Sequence, residues 1–404
     1  MNIKAQQYLI VTASYWSFTL TDGALRMLVV LYFHSLSYSP FEIASLFIMY
    51  ELFGIITNLF GGWLANLKGL NTTLKTGLLL QIVALCMLLL PPSLLVISYV
   101  MLAQALSGVA KDLSKLSAKS SIKNLVPDEQ QGQLYKWVAL LTGSKNTLKG
   151  VGFFLGAALF STLDFQGAIS AMIIFLSTAL FFSHYCLHKD KSSKTFKPKF
   201  SSIFSKSDRI NRLSAARFFL FGSRDIWFVI ALPVYLQSHL NWQHIEVGTF
   251  MACWVITYGF VQTLSPFITR LTDIPKGMTN NTPPNGKSTI FWILPLIFIT
   301  AFLAYIETQM QLSSAAIVIG LILFGVFFAI TSSLHSYLIV AYADQDNVSL
   351  DVGFYYMANS AGRLIGTLLS GLLFQQYGLA ACLTASSFFL IFTALITIRL
   401  PQTH

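Results

Sequence analysis

The sequence predicts an all-α membrane protein of twelve transmembrane helices, arranged as two six-helix halves with both termini cytoplasmic. Three observations carry this reading. Of 404 residues, 55% are hydrophobic and only 10% are charged, whereas soluble proteins carry about 25% charged residues. Apolar stretches of the roughly 20 residues needed to cross a hydrocarbon core follow one another almost end to end. Lys and Arg crowd the loops of one side only, the bias that orients membrane helices. A water-soluble enzyme is excluded. The net charge of +10 reflects loop placement and implies no nucleic acid.

The spans are expected at residues 8–33, 42–65, 73–90, 94–116, 134–160, 167–187, 213–236, 245–269, 289–306, 313–341, 352–374 and 379–398. The first holds Asp22 and Arg26 and lacks a small-residue cleavage site, so it reads as a retained span and not a signal peptide. Connections beginning near His34, Pro91, Ser161, Gln237, Glu307 and Gln375 contain no Lys or Arg. The opposite connections hold eighteen, among them Lys119, Lys123 and Lys136 and eight between Lys189 and Arg212. Residues 1–187 thus form one half, 188–212 a basic cytoplasmic linker and 213–404 the other half. The halves also echo each other. YFHSLSYSPFEIASL recurs as YLQSHLNWQHIEVGTF, setting Tyr32 against Tyr235, Glu42 against Glu246 and Asp22 against Asp225. Transporters built from two related halves place their substrate site near the midplane between them.

Eight basic residues remain inside or at the ends of spans: Arg26, Lys111, Lys115, Lys145, Lys149, Arg217, Arg224 and Arg363. Four carboxylates oppose them: Asp22, Glu51, Asp112 and Asp225. A charge near a helix centre costs about 2.5–3.5 kcal/mol on insertion scales, so the seven most central would sum to roughly 20 kcal/mol if left facing lipid. They must face a wet cavity or each other. Asp22 and Arg26 share one face of the first helix, and Lys145 and Lys149 share one face of the fifth, each pair at i,i+4. The two lysines have no counter-ion on their own helix, so they require an acidic partner from another helix or an anionic ligand. The surplus of cations points to a multiply charged small anion, held by Arg26, Lys145, Lys149, Arg224 and Arg363 through charge-assisted hydrogen bonds.

Other readings of these charges stay open. Lys111, Lys115 and Arg217 lie near inner helix ends, where they either snorkel to the interface or line a cytoplasmic vestibule with Asp112. Asp22 is either a structural partner of Arg26 or, like Asp225, a carrier of a coupling proton; Glu51 is either a partner of a lysine or a proton carrier. Cys86, Cys186, Cys253 and Cys382 fall in four different spans without CxxC spacing, so neither a disulfide framework nor a thiolate metal site is expected. His184 and His188 flank Cys186 at an inner helix end and read as interfacial polar residues. Gly286-Lys287-Ser288 resembles the end of a phosphate-binding loop, but Asn281 stands where Gly is required. Gly152 with Gly156 and Gly362 with Gly366 give small-xxx-small faces, which mean close helix packing. No metal and no cofactor are expected.

In GGWLANLKGLNTTLK, between the second and third spans, Gly62, Asn66 and Gly69 resemble the gating-loop motif of the major facilitator superfamily. Asn66 replaces the acidic residue with which that family locks its inner gate, and Leu70 and Asn71 replace the usual basic pair. The blocks YWSFTLTDGALRMLVVLYFHSLSYSP, QALSGVAKDLSKLSAKSSIKNLVP, LLTGSKNTLKGVGFFLGAAL and FGSRDIWFVIALPVYL resemble the organoarsenical efflux permeases (ArsJ) of bacterial arsenic-resistance operons. That resemblance implies a multi-pass protein of the bacterial inner membrane exporting 1-arseno-3-phosphoglycerate. Glyceraldehyde-3-phosphate dehydrogenase makes this ester when arsenate replaces phosphate, so functional coupling with that enzyme is implied, and the transporter is expected to be a monomer. The alternatives are an organic phosphate or inorganic phosphate exchanger of the same superfamily and, in a different class, a membrane-embedded lipid-modifying enzyme.

Overall fold

A computed structural model describes residues 3–38, 46–125, 130–188, 207–271, 286, 288–344 and 347–400. Glu42, most of the basic linker and Lys287 lie outside the described residues, as does Asn281. The described residues form α-helices and one 3-10 turn, and no strand occurs among them. In chain order the helices are α1 (Ile3–Ser35), α2 (Ile48–Lys68), α3 (Leu70–Met87), α4 (Ile97–Leu125), α5 (Gln131–Cys186), α6 (Asp208–Phe228), α7 (Ala231–Ser238), α8 (His244–Leu271), α9 (Ser288–Gln309), α10 (Ser314–Tyr342) and α11 (Val348–Thr397). Eight stretches among the described residues are long and apolar enough to cross a membrane, with α6 and α7 counting as one. The charge-bearing α1 and α4 are not among these eight.

Two helices are too long for one crossing. A straight helix of 56 residues would span about 84 Å against a hydrocarbon core of about 30 Å. α5 leaves helical geometry at Asp164 (φ 56°, ψ −176°) and doubles back along α1. On its first limb Ser144 accepts from the Trp16 indole at 2.9 Å and Gly152 faces Leu20 and Gly23. On its second limb Phe165 stacks on Tyr32 at 3.9 Å, Ser183 meets Ser14 at 2.6 Å and the Cys186 carbonyl accepts from Gln7. α11 does the same at Gly378 (φ 74°), a left-handed position that glycine occupies without a Cβ penalty. Gly362 and Gly366 on its first limb face Phe218 and Gly222. Phe389 and Phe392 on its second limb return to Phe219.

Prolines account for two further irregularities. Pro233 would clash with the carbonyl of Val229, four residues back, and the chain breaks between α6 and α7 at Val229 and Ile230. Pro266 lies inside α8 and removes the amide that would pair with the Gln262 carbonyl. The Ser265 and Ser333 hydroxyls donate to that oxygen instead, at 2.8 and 3.4 Å, as a backbone group without water requires.

The chain divides into two compact units. The first comprises residues 1–127, 144–205 and 343–357; the second comprises 128–143, 206–342 and 358–404. Phe18, Leu28, Phe33, Leu78, Leu85 and Phe165 are central to the core of the first. Trp227, Leu232, Phe324, Phe328 and Leu383 are central to that of the second. Lipid is as apolar as leucine, so such cores are held by close packing and interhelical polar contacts. The glycine faces read from the sequence supply that closeness. A Cβ on Gly152 would fall 2.5 Å from the Leu20 carbonyl oxygen, and one on Gly362 would fall 2.1 Å from that of Phe218.

Several boundaries differ from the sequence expectation. The expected span ends at residue 116, but α4 continues through the polar run SAKSSIKN to Leu125, and Lys119 and Lys123 are buried. Lys136 likewise lies within α5. These three are helix residues, because polar side chains that face neighbouring helices need not end a helix.

Candidate functional site

The first unit gathers charge from four helices. Asp22 on α1 is 5% exposed. It accepts a hydrogen bond from the Tyr50 hydroxyl at 2.6 Å and lies 3.6 Å from Lys149 Nζ on α5. Arg26, one turn further along α1, reaches Glu51 on α2 at 3.3 Å. Its guanidinium lies over the rings of Phe47 and Tyr50 at 5.0 and 4.9 Å. Lys111 on α4 sits 3.9 Å from Glu51 and 3.7 Å from Asp112, with its ammonium 3.9 Å above the Tyr50 ring. Lys115 pairs with Asp112 and lies 4.2 Å over the Tyr356 ring. Gly54 makes room for Asp112: a Cβ there would meet the carboxylate at 2.7 Å. Lys145 is half-buried one turn before Lys149.

The second unit centres on Asp225 of α6, which is fully buried. Arg224 Nε donates to one carboxylate oxygen at 2.6 Å and Arg363 Nε from α11 donates to the other at 3.0 Å. One carboxylate therefore serves two guanidiniums, and the group keeps a net positive charge. Phe221, Phe228 and Phe328 lie under Arg224 at 5.0, 5.9 and 5.4 Å. Arg217, two turns before it, donates to Asn359 Oδ1 at 2.9 Å and to the carbonyl and hydroxyl of Ser332. Gln262 extends this network to Ser332 and Tyr258.

The structure thus brings Asp22, Arg26, Glu51, Lys111, Asp112, Lys115 and Lys149 together in one cluster, and Arg224, Asp225 and Arg363 in another. It distinguishes among three sets of alternatives that the sequence leaves open. Lys149 has a carboxylate partner, Asp22, supplied from another helix. Asp22 turns to Lys149 and Tyr50, while Arg26 turns to Glu51 on α2. Arg217 and Lys115 do not snorkel: they are 3% and 8% exposed, Arg217 held by α10 and α11 and Lys115 by Asp112 on its own helix and by the Tyr356 ring, because an internal acceptor spares the side chain the reach to water. Sequence reasoning passed over Tyr50, Tyr356, Asn359 and Ser332, whose neutral side chains carry no insertion cost that would flag them.

Two kinds of pair emerge. Asp225 with its arginines and Asp112 with Lys115 are within hydrogen-bond range, and both carboxylates are buried. Lys149–Asp22 and Lys111–Glu51 are longer than a hydrogen bond, and Arg26–Glu51 is at its outer edge. The side chains of Arg26 and Lys149 keep 29% and 23% exposure.

In the loop motif, Gly62 abuts the Ser349 carbonyl, to which a Cβ would come within 2.3 Å. Gly69 (φ 94°) joins α2 to α3 with no intervening loop, and the buried Asn66 Nδ2 has no hydrogen-bond partner. Among the described residues no group of three or more His, Cys, Asp or Glu gathers as metal ligands would.

Comparison with known proteins bears on the whole chain. Residues 9–334 match the Major Facilitator Superfamily, and a second match covers residues 218–403. The fold is similar to that of the human organic anion transporter MFSD10 (TM-score 0.75, 12% identity, covering 98% of this chain and 100% of that one). It is also similar to a bacterial homologue of the iron transporter ferroportin in an outward-facing state (0.75, 14%, 99% and 99%). The proton:xylose symporter XylE is a third (0.73, 13%, 99% and 96%). No curated protein matches the sequence.

Proposed function

The chain belongs to the Major Facilitator Superfamily, and from that premise we propose that it is an alternating-access efflux transporter for an anionic organoarsenical, 1-arseno-3-phosphoglycerate, conferring resistance to arsenate. The observation that carries the reading is the excess of cations in the two clusters: six basic side chains, Arg26, Lys111, Lys115, Lys149, Arg224 and Arg363, accompany four carboxylates, Asp22, Glu51, Asp112 and Asp225. A phosphoryl and an arsenyl group at the two ends of a three-carbon chain carry several negative charges, which suits such a surplus. The long blocks that resemble the organoarsenical permeases are the reason to favour this anion over an ordinary organic phosphate.

Arg26, Lys145, Lys149, Arg224 and Arg363 are the anion-binding residues in this account. A phosphoryl or arsenyl oxygen competes with Asp22 for Lys149. Each charge-assisted hydrogen bond to the anion is worth about 1.5–3 kcal/mol, and the displaced Asp22 becomes free to take a proton. Glu51 stands in the same relation to Arg26, and Asp225 to Arg363. Lys111, Asp112, Lys115 and Arg217 hold the surrounding frame.

Twelve crossings follow if α5 and α11 each cross twice, α6 with α7 once, and α1 and α4 are added to the remaining spans. The loop lysines and arginines favour cytoplasmic termini, with halves at 1–187 and 213–404 joined by the basic segment 188–212, in a bacterial inner membrane. Glyceraldehyde-3-phosphate dehydrogenase supplies the substrate, and the transporter itself catalyses no reaction. The test is growth of an arsenic-sensitive host: expression of this chain should protect against arsenate only while the dehydrogenase is active, and should give no protection against arsenite. Protection against arsenite would overturn the proposal.

A further inference from the structure

We propose that a groove between the start of α3 and the end of α5, in the first unit, is a binding site for one anionic phospholipid. The groove encloses about 510 Å³ and is built by one face of each helix. Its two ends differ in chemistry. At the mouth stand Thr72, Lys75, His184 and Tyr185. One helical turn deeper on both walls, Leu79 lies below Lys75, and Leu180 and Phe181 lie below His184.

The same end of both helices forms the mouth, because Asn71 Nδ2 at the start of α3 donates to the His188 carbonyl just beyond α5 at 3.1 Å. Among the described residues that line the groove there is no carboxylate. Tyr185 and Phe181 are 72% and 58% exposed on a chain that crosses a membrane, so lipid is the medium they meet. A polar, cationic mouth over an apolar floor matches a phosphate headgroup with an acyl chain beneath it, and a basic pocket between membrane helices is the setting in which anionic headgroups are held. The site lies apart from the charge clusters and does not depend on the identity of the transported anion.

Native mass spectrometry of the full chain in detergent, titrated with phosphatidylglycerol or with phosphatidylcholine of the same acyl chains, tests the proposal. Wild type should bind phosphatidylglycerol about five-fold more tightly, the preference expected from roughly one lysine at the headgroup level. Lys75→Ala and His184→Ala should each reduce that preference, their combination should abolish it, and phosphatidylcholine binding should stay unchanged. Lys75→Arg should retain the preference. Lys68→Ala, at the exposed end of α2 and outside the groove, should leave wild-type behaviour. Equal binding of the two lipids to wild type, or full preference in the double variant, would overturn the proposal. So would displacement of the lipid by free glycerol phosphate at equal concentration, which would mark a soluble-phosphate site.

Discussion

Lys149 on α5 faces Asp22 on α1 across 3.6 Å, while Tyr50 from α2 donates to the other oxygen of the same carboxylate at 2.6 Å. Three helices of the first unit therefore meet on one buried charge. Removing the lysine alone takes away that carboxylate's facing ammonium and leaves it the Tyr50 hydroxyl, a loss of at most the roughly 3–5 kcal/mol that breaking a tight buried pair costs.

Lys149→Gln should accordingly lower both the melting temperature in detergent and the amount of protein in the membrane. Adding Asp22→Asn should restore most of that stability without restoring transport. A single variant of wild-type stability would show that the ion pair does not matter to the fold. A double variant with normal transport would remove Lys149 from the anion site.

Asp225 should prove more critical to folding than either arginine it serves. Asp225→Asn removes the buried negative charge that two guanidiniums share, whereas Arg363→Gln leaves Arg224 paired. Yield after solubilisation should fall most for Asp225→Asn and least for Arg363→Gln, and the reverse order would contradict the pairing.

The helix crossings make a prediction that is independent of charge. Gly152→Ala and Gly362→Ala force a methyl group against a backbone carbonyl at 2.5 and 2.1 Å and should each destabilise by about 1–3 kcal/mol or more. Gly248→Ala, with nothing within 4 Å of its Cβ, should be neutral or slightly stabilising, since alanine favours a helix interior by up to about 1 kcal/mol. Thermal unfolding of the three variants side by side decides the point.

What the sequence discloses here is mainly what the bilayer makes expensive. Asp22, Arg26, Lys149, Arg224, Asp225 and Arg363 stand out because charge in a membrane demands compensation, and the glycine pairs stand out because their spacing repeats. The partners do not stand out. Which carboxylate Lys149 meets depends on how α1 and α5 are rotated and crossed, and a one-dimensional hydropathy pattern carries no such angle. Tyr50, Tyr356 and Asn359 escape for the same reason. The reach of α4 to Leu125 escapes too, because Ser117, Lys119 and Ser120 are polar yet buried, so polarity there reports interhelical contact and not the membrane edge.

Topology can be read with reporter fusions. Fusions at Ser193 should report the cytoplasm, and fusions at Ser37, at the Asp164 turn and at Gln309 should report the outside. A cytoplasmic signal at Asp164 would mean that α5 does not cross twice.

Everted membrane vesicles containing this chain give the most direct test of the central claim. The arsenoester should be generated in the bath by glyceraldehyde-3-phosphate dehydrogenase from its substrates and arsenate, and accumulation in the vesicles measured. The account predicts uptake of arsenic and 3-phosphoglycerate together, dependent on active dehydrogenase and lost in the Asp22→Asn/Lys149→Gln variant, with no uptake of arsenate, 3-phosphoglycerate or arsenite offered alone. Equal uptake of 3-phosphoglycerate or inorganic phosphate without arsenate would instead mark a phosphate exchanger and contradict the account.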